Sequence, residues 1–429
     1  MQLSVSQSRI SGSISIPGSK SHTIRALAFA SVARGASILK APLIAEDTLS
    51  SLTAASVLGA WVKRGDDSIW KITGNNGNIL QPAQSLVNLG NSGTGIKIFA
   101  ALASLADFPV IFDGDESLRS RPMRSLLSAL NDLGVETADQ AGNAPFQVKG
   151  PWKNNETAVN GKSSQYLTAL LMAAPLAKQD TLIRVENLNE IPYVDMTLAW
   201  LKRLNIRFDM ADDYSWFRIP GNQSYEAFTC KIPGDFSTAC FPLVAAAVSG
   251  GSVQIKNLDF TDSQGDKAVF DYLKQMGADI QITPDLVQVN GGKKLHAVDL
   301  DLNATPDALP ILAVAAACAE GITVLRNVAQ ARIKETDRIC CMARELTKMG
   351  IQVEEFEDGM AICGGTLKTA ELESYKDHRI AMALAVAGFA AEPGPDQSPL
   401  VIHDAEYAAV TYPDFFEDFT ALGADFYML

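Results

Sequence analysis

The sequence predicts an α/β protein of two domains. Each is assembled from three copies of one strand–helix–strand–helix–strand–strand unit, βαβαββ, with a buried first helix. Three observations carry that reading. Six alanine-rich apolar segments recur, with starts 72, 71, 72, 71 and 71 residues apart, and the six units fill the 429-residue chain. A short polar or charged cap precedes each segment. A β-rich run and then an amphipathic helix ending on Gly or Asn follow it. A fixed period of this kind marks a repeated supersecondary unit.

In chain order the apolar segments begin at Ser19 (SKSHTIRALAFASVARG), Asn91 (NSGTGIKIFAALASLAD), Lys162 (KSSQYLTALLMAAPLAK), Gly234 (GDFSTACFPLVAAAVSG), Thr305 (TPDALPILAVAAACAEG) and Lys376 (KDHRIAMALAVAGFAAE). Each reads as a helix of about four turns, apolar almost all round, and such a helix is buried. The runs that follow, ASILKA, FPVIFDG, TLIRVEN, SVQIKNL, ITVLRNV and PLVIHDA, read as strands. The second helices end at Gly59, Gly134, Asn205, Gly277, Gly350 and Gly423. These residue types suit a left-handed position after a helix C-terminus. Three units can enclose their three buried helices. IPG turns at Ile16–Gly18 and Ile232–Gly234 mark the crossings, which gives one domain at 18–232 and a second from 1–17 plus 233–429.

With 47% hydrophobic and 20% charged residues the chain can build real cores, and it is not a disordered segment. A net charge of −13 argues against nucleic acid as a partner. A small anionic substrate needs only a local cluster of cations. The opening MQLSVSQSRISGS lacks the basic and apolar regions of a secretory signal. The longest apolar runs, Tyr166–Ala177 and Ala308–Glu320, hold about a dozen residues, short of the ~20 a membrane span needs. A cytoplasmic, monomeric protein with no membrane partner is therefore expected. The six cysteines form no CxxC and read as reduced thiols. The four histidines show no metal-ligand spacing, so neither metal nor cofactor is expected.

The caps of the buried helices carry the chemistry. A helix amino end presents free N–H groups and a positive dipole, and it binds phosphate or carboxylate. Here the caps add Ser19, Lys20, Ser21 and Arg25; Asn91, Ser92, Gly93 and Thr94; Ser163, Ser164 and Gln165; and Asp377, His378 and Arg379. Second helices contribute Arg119, Arg121 and Arg124, and Lys334, Glu335 and Arg338. Each piece alone suits an ordinary N-cap or a solvated face. Together, cations recurring at equivalent repeat positions in an acidic chain predict two helix-end clusters facing across a cleft that binds a polyanion. The chemistry they suit is acid–base. Glu335, Asp307 and Asp377 are carboxylates among cations, able to act as bases, and a lysine can donate a proton. Asp307 equally suits a plain N-cap.

PGSKS…R at 17–25, LGNSGT at 89–94, RPM at 121–123, SSQYLTALLMA at 163–173, PGD at 233–235, PDA at 306–308, KETDR at 334–338, DHRIAMA at 377–383 and TYPDFF at 411–416 resemble the enolpyruvyl transferases. The resemblance spans the whole chain. It is closest to the branch of that family whose acceptor is shikimate 3-phosphate. It implies two inverse α/β barrels closing on shikimate 3-phosphate and phosphoenolpyruvate. It further implies that Lys20, Ser21, Arg25, Ser163, Ser164, Gln165, Tyr193, Asp307, Gln330 and Lys334 bind shikimate 3-phosphate, with Ser163 and Ser164 at its phosphate. Phosphoenolpyruvate would meet Lys20, Asn91, Gly93, Arg121, Gln165, Arg338 and Arg379. Asp307 would take the proton of the attacking hydroxyl. Lys20 and Glu335 would move the proton to and from the methylene carbon, with Asp377 and His378 nearby.

Three positions depart from the family pattern. Val410 stands where a lysine precedes [ST]-[YF]-P, Gln330 where an asparagine or acidic residue is usual, and Glu190 where S-x-P-Y has its serine. Val410 removes a cation from the phosphoenolpyruvate set, and Lys97, one helical turn after Gly93, is the nearby alternative. Glu190 would repel the shikimate phosphate unless its loop turns it away. Two rival readings are an enolpyruvyl transferase with another acceptor, such as UDP-N-acetylglucosamine or a ring related to shikimate, and a ligand-binding descendant without activity, which only Val410 and Glu190 favour.

Overall fold

Helices apolar on every side are stable only inside a core. The computed structural model, which describes residues 1–65, 68–82, 86–394 and 399–429, has six of them. In chain order these first to sixth buried helices are Lys20–Val32, Gly93–Ala103, Ser164–Ala173, Phe236–Ser249, Leu309–Ala317 and His378–Ala390. The expected four turns fit the fifth least. Pro306 and Pro310 open it, a 3-10 turn at Pro306–Ala308 provides its entry, and nine α-helical residues remain, all buried.

The chain divides into two compact units, Met1–Pro17 with Pro233–Leu429, and Gly18–Ile232. Each has its own hydrophobic core. In Gly18–Ile232 the second buried helix packs on the first and the third. In the other unit the fourth, fifth and sixth pack on one another.

Among the described residues six four-stranded sheets share one order. The sheet of the third buried helix shows it. Glu156–Asn160 and Thr181–Glu186 are parallel strands joined through that helix. Trp216–Ile219 lies antiparallel to the second strand, and Asp209–Met210 closes the edge. Strand residues alternate, as in Ser252–Lys256 and Leu286–Asn290, so one face of each sheet covers the core. The amphipathic helices end at the expected Gly and Asn residues, with φ between +57° and +107°.

The contiguous unit read from the sequence needs one correction. Gly12–Ser15 precedes the first buried helix but pairs parallel with Ser252–Lys256. Thr229–Lys231 precedes the fourth but pairs parallel with Ala36–Lys40. Each strand ahead of a crossing thus stays in the unit that the chain is leaving. The sixth sheet is completed by the amino terminus, with Gln2–Val5 lying between Leu400–His403 and Phe426–Met428. Periodicity along the chain cannot reveal which sheet accepts a strand. Among the described residues no helix is long and apolar enough to cross a membrane.

Candidate functional site

Five of the six buried helices begin on a side-chain cap. Ser19, Ser92, Ser163, Asp235 and Asp377 accept from backbone N–H groups of their first turns. The fifth has no side-chain cap. Asp307 lies inside its 3-10 entry turn, which leaves its carboxylate for other partners and removes the N-cap reading.

In Gly18–Ile232 the sequence-selected residues form linked groups. Lys20 pairs with Asp47 at 3.2 Å, a partner that the sequence reading did not select. Arg25 is buried and donates to the Thr197 and Thr168 hydroxyls and to the Ser21 and Tyr193 carbonyls. Burial pulls its pKa down to about 10, still far above neutrality, with Tyr193 opposing the shift. Arg121 donates to the Asn91 carbonyl at 3.1 Å, to Asn91 Oδ1 at 2.7 Å and to the Ser117 hydroxyl at 3.0 Å. Asn91 therefore braces Arg121, and its amide nitrogen is held by Asp115 at 2.8 Å.

Lys97 Nζ donates to Gln165 Oε1 at 2.8 Å and to the Gly93 carbonyl at 3.1 Å. Gln165 in turn donates to Thr94. Gly93 is glycine because space closes over it. A Cβ there would lie 2.8 Å from Arg121 Nη1 and 3.8 Å from both Gln165 Oε1 and Lys97 Nζ. Arg121, Lys97 and Gln165 thus converge on one point at the amino end of the second buried helix. At the third, Ser164 meets Glu190 through both its hydroxyl and its backbone N–H.

Arg119 and Arg124 are engaged elsewhere. Arg119 pairs with Asp113 and Arg124 donates to the Ala141 carbonyl, so neither joins the cluster. The reason is local. Pro122 interrupts the chain after the short helix Glu116–Ser120, Arg121 stands in extended backbone, and the next helix starts at Arg124.

In the other unit Arg338 is the hub. It is 1% exposed and meets Asp307 at 2.8 Å, Glu335 at 2.5 Å and Asp377 at 2.8 Å. Burial opposes its charge, but Asp377, Glu335 and Asp307 outweigh that and keep it protonated. Asp307 also meets Arg379 at 3.2 Å and Lys334 at 3.8 Å. Burial works against its ionisation. Arg379, Lys334 and Arg338 overcome it and hold the carboxyl well below the usual carboxylate range. Arg379 further donates to the Ser237 hydroxyl.

Lys334 and Arg338 do not share a solvated helix face. Lys334 follows a 3-10 turn, Ala329–Ile333, and Arg338 opens the helix Arg338–Lys348, capped by Asp337. Gln330 is buried with its amide on the Asn303 carbonyl. His378 is buried in the first turn of the sixth helix. Asp266, also missed in the sequence, is buried nearby. Desolvation and the charge of Asp307 push its pKa up to about 6, against Arg379 and Ser237. Its spacing from the caps gave no signal, because it enters through a separate 3-10 turn, Gly265–Lys267.

The two clusters offer what an addition–elimination on a phosphorylated substrate needs: cations and N–H groups for anions, and carboxylates held ionised for proton transfer. The sequence model for EPSP synthase (3-phosphoshikimate 1-carboxyvinyltransferase) matches residues 5–419. The chain is 46% identical to a protein named 3-phosphoshikimate 1-carboxyvinyltransferase from Acetivibrio thermocellus, covering 99% of each chain. A protein of the same name from Ruminiclostridium cellulolyticum is 42% identical, again over 99% of each. Among solved structures, EPSP synthase from Acinetobacter baumannii superposes with a TM-score of 0.80 at 26% identity, covering 100% of both chains. The enolpyruvyl transferase NikO from Streptomyces tendae shares the fold, with a TM-score of 0.75 at 17% identity over 99% of this chain and 98% of its own. The chain belongs to the EPSP synthase family.

Proposed function

We propose that this chain transfers the enolpyruvyl group of phosphoenolpyruvate to the 5-hydroxyl of shikimate 3-phosphate and releases inorganic phosphate. In this reading Ser163, Ser164, Ser21, Arg25, Tyr193, Gln330 and Lys334 hold the acceptor. Lys20, Gly93, Arg121, Gln165, Arg338 and Arg379 serve phosphoenolpyruvate, with Asn91 bracing Arg121. Lys97 joins them as the cation that the pattern at Val410 lacks. The observation that carries the reading is Asp307, an ionised carboxylate set among Lys334, Arg338 and Arg379 at the start of a buried helix.

The reaction adds the hydroxyl across the enol double bond. The acceptor oxygen bonds to C2, its proton passes to Asp307, and the methylene carbon gains a proton through Lys20 or Glu335. In the reverse half a methyl proton is removed, the C2–O bond to phosphate breaks, and the double bond returns. Asp307 ringed by three cations is a weak base. Incoming anions draw Lys334 and Arg379 toward themselves, and the basicity of Asp307 rises as they do. Substrate binding and base activation are thereby coupled.

The test is phosphate release from the purified protein supplied with both substrates. Release that needs both, and falls by about 10²–10⁴ in Asp307→Asn, is the expected result for a lost general base. No release at millimolar substrates would defeat the proposal.

A further inference from the structure

The amino end of the third buried helix already holds an anion supplied by the protein itself. Glu190 is 1% exposed. Its Oε2 accepts from the Ser164 hydroxyl at 2.7 Å and from the Ser164 N–H at 3.0 Å. Both donors lie in the first turn of Ser164–Ala173, where the helix dipole favours negative charge. The backbone bends to achieve this. Glu190 has φ 59° and ψ 39°, a left-handed conformation uncommon for a residue with a side chain. It stands at the N-cap of Ile191–Arg203 but gives that helix no side-chain cap. A short Ser, Asp or Asn usually does so. Pro192 stiffens the helix entry, and the Asn189 N–H is tied to the Gly161 carbonyl at 3.0 Å. The segment is built to deliver a carboxylate to Ser164.

We propose that Glu190 is a specificity-determining residue for the acceptor, competing with the acceptor's phosphate for the Ser164 donors. The proposal rests on the reading above, in which Ser163 and Ser164 hold that phosphate. Carboxylate and phosphate seek the same N–H and O–H groups, and two anions cannot share them in a buried place without strong repulsion. A phosphorylated acceptor therefore binds only as Glu190 leaves Ser164, and its affinity is lowered by that displacement. An acceptor with a neutral group at this position meets no such penalty. The chain thus discriminates weakly between a phosphorylated ring and its unphosphorylated counterpart.

Calorimetric titration with shikimate 3-phosphate and with shikimate, on the wild-type protein and on Glu190→Gln and Glu190→Ser, tests this without phosphoenolpyruvate. Shikimate 3-phosphate should bind both variants at least tenfold more tightly than wild type, with shikimate changed by less than twofold. Glu190→Gln keeps the side chain's size, and a melting temperature within a few degrees of wild type shows that it is folded. Unchanged or weaker binding of shikimate 3-phosphate to a folded Glu190→Gln would overturn the proposal, and so would an equal gain for both rings. Phosphate release is a separate readout. If it is absent from wild type while the variants still gain affinity, the transferase reading fails and the assignment of Glu190 stands.

Discussion

The two clusters handle buried cations in opposite ways. In Gly18–Ile232, Arg25 is surrounded by hydroxyl and carbonyl oxygens. In the other unit, Arg338 is surrounded by Asp307, Glu335 and Asp377. Neutral acceptors leave a guanidinium's charge unspent, so it continues to attract an anion. Three carboxylates consume that charge, and the arginine becomes a scaffold that fixes them. The reading that gives Arg338 to phosphoenolpyruvate must therefore accommodate a residue already holding three carboxylates, whereas Arg379 and Lys334 both meet Asp307.

Substituting the two arginines alike gives the largest contrast. Arg338→Met leaves the buried Asp377 and the half-buried Asp307 and Glu335 without their common partner, and breaking a buried ion pair from one side costs about 3–5 kcal/mol. Arg25→Met loses four hydrogen bonds to neutral acceptors, each about 0.5–1.5 kcal/mol, but it also removes a buried charge and leaves no carboxylate unpaired, so its net cost in stability should be the smaller. Its cost should appear instead as acceptor binding at least tenfold weaker. Urea denaturation measures the first quantity and calorimetric titration the second. Equal losses of stability would erase the distinction between hub and attractor.

A smaller effect sharpens the same contrast through pH. Asp266 is 4% exposed, and its pKa is raised by burial and by Asp307 from 3.8 to about 6. The folded state then holds its proton more tightly than the unfolded chain does. The contribution of Asp266 to stability falls as pH rises from about 4 to about 6, and above that its full cost, on the order of 3 kcal/mol, is present. Asp266→Asn cannot ionise. Its advantage over wild type should be near zero at pH 4 and approach that value above pH 6. Denaturation at pH 4, 5, 6 and 7 checks this, and a gap independent of pH would show that packing is responsible.

How much of this was legible follows from what each feature depends on. The buried helices and the left-handed ends of the amphipathic ones were legible because apolarity and Gly or Asn are local properties. The strand exchange at Gly12–Ser15 and Thr229–Lys231 was not, since pairing partners 241 and 191 residues apart leave no trace in spacing. At the helix ends, residue type placed Lys20, Asp307 and Arg379 in first or entry turns, but it could not say what each would touch, and it put Arg121 in a second helix where the chain is extended between two. Asp47 and Asp266 come from a second helix and a separate 3-10 turn, away from the caps of the buried helices. Lys334 and Arg338 showed an i, i+4 spacing that suggested one helix, but Asp337 caps a new helix between them.

Lys97 offers the finest test of the comparison. It lies in the same unit as Arg25, Gly18–Ile232. Val410, where the family pattern has lysine, is buried at 5% exposure in the other unit. The Lys97 ammonium is itself buried, at 2.8 Å from Gln165 Oε1, and it stands with Arg121 over Gly93. If it serves the phosphate of phosphoenolpyruvate, Lys97→Met should raise KM for that substrate about tenfold, equivalent to about 1.4 kcal/mol, with KM for the acceptor changed by less than twofold. Steady-state assays varying one substrate at a time separate the two constants. If both rise together, Lys97 acts by holding Gln165 and the Gly93 carbonyl in place. If neither moves, the charge excess of this cluster resides in Arg25 and Arg121, and Arg121→Met becomes the substitution that must raise KM for phosphoenolpyruvate.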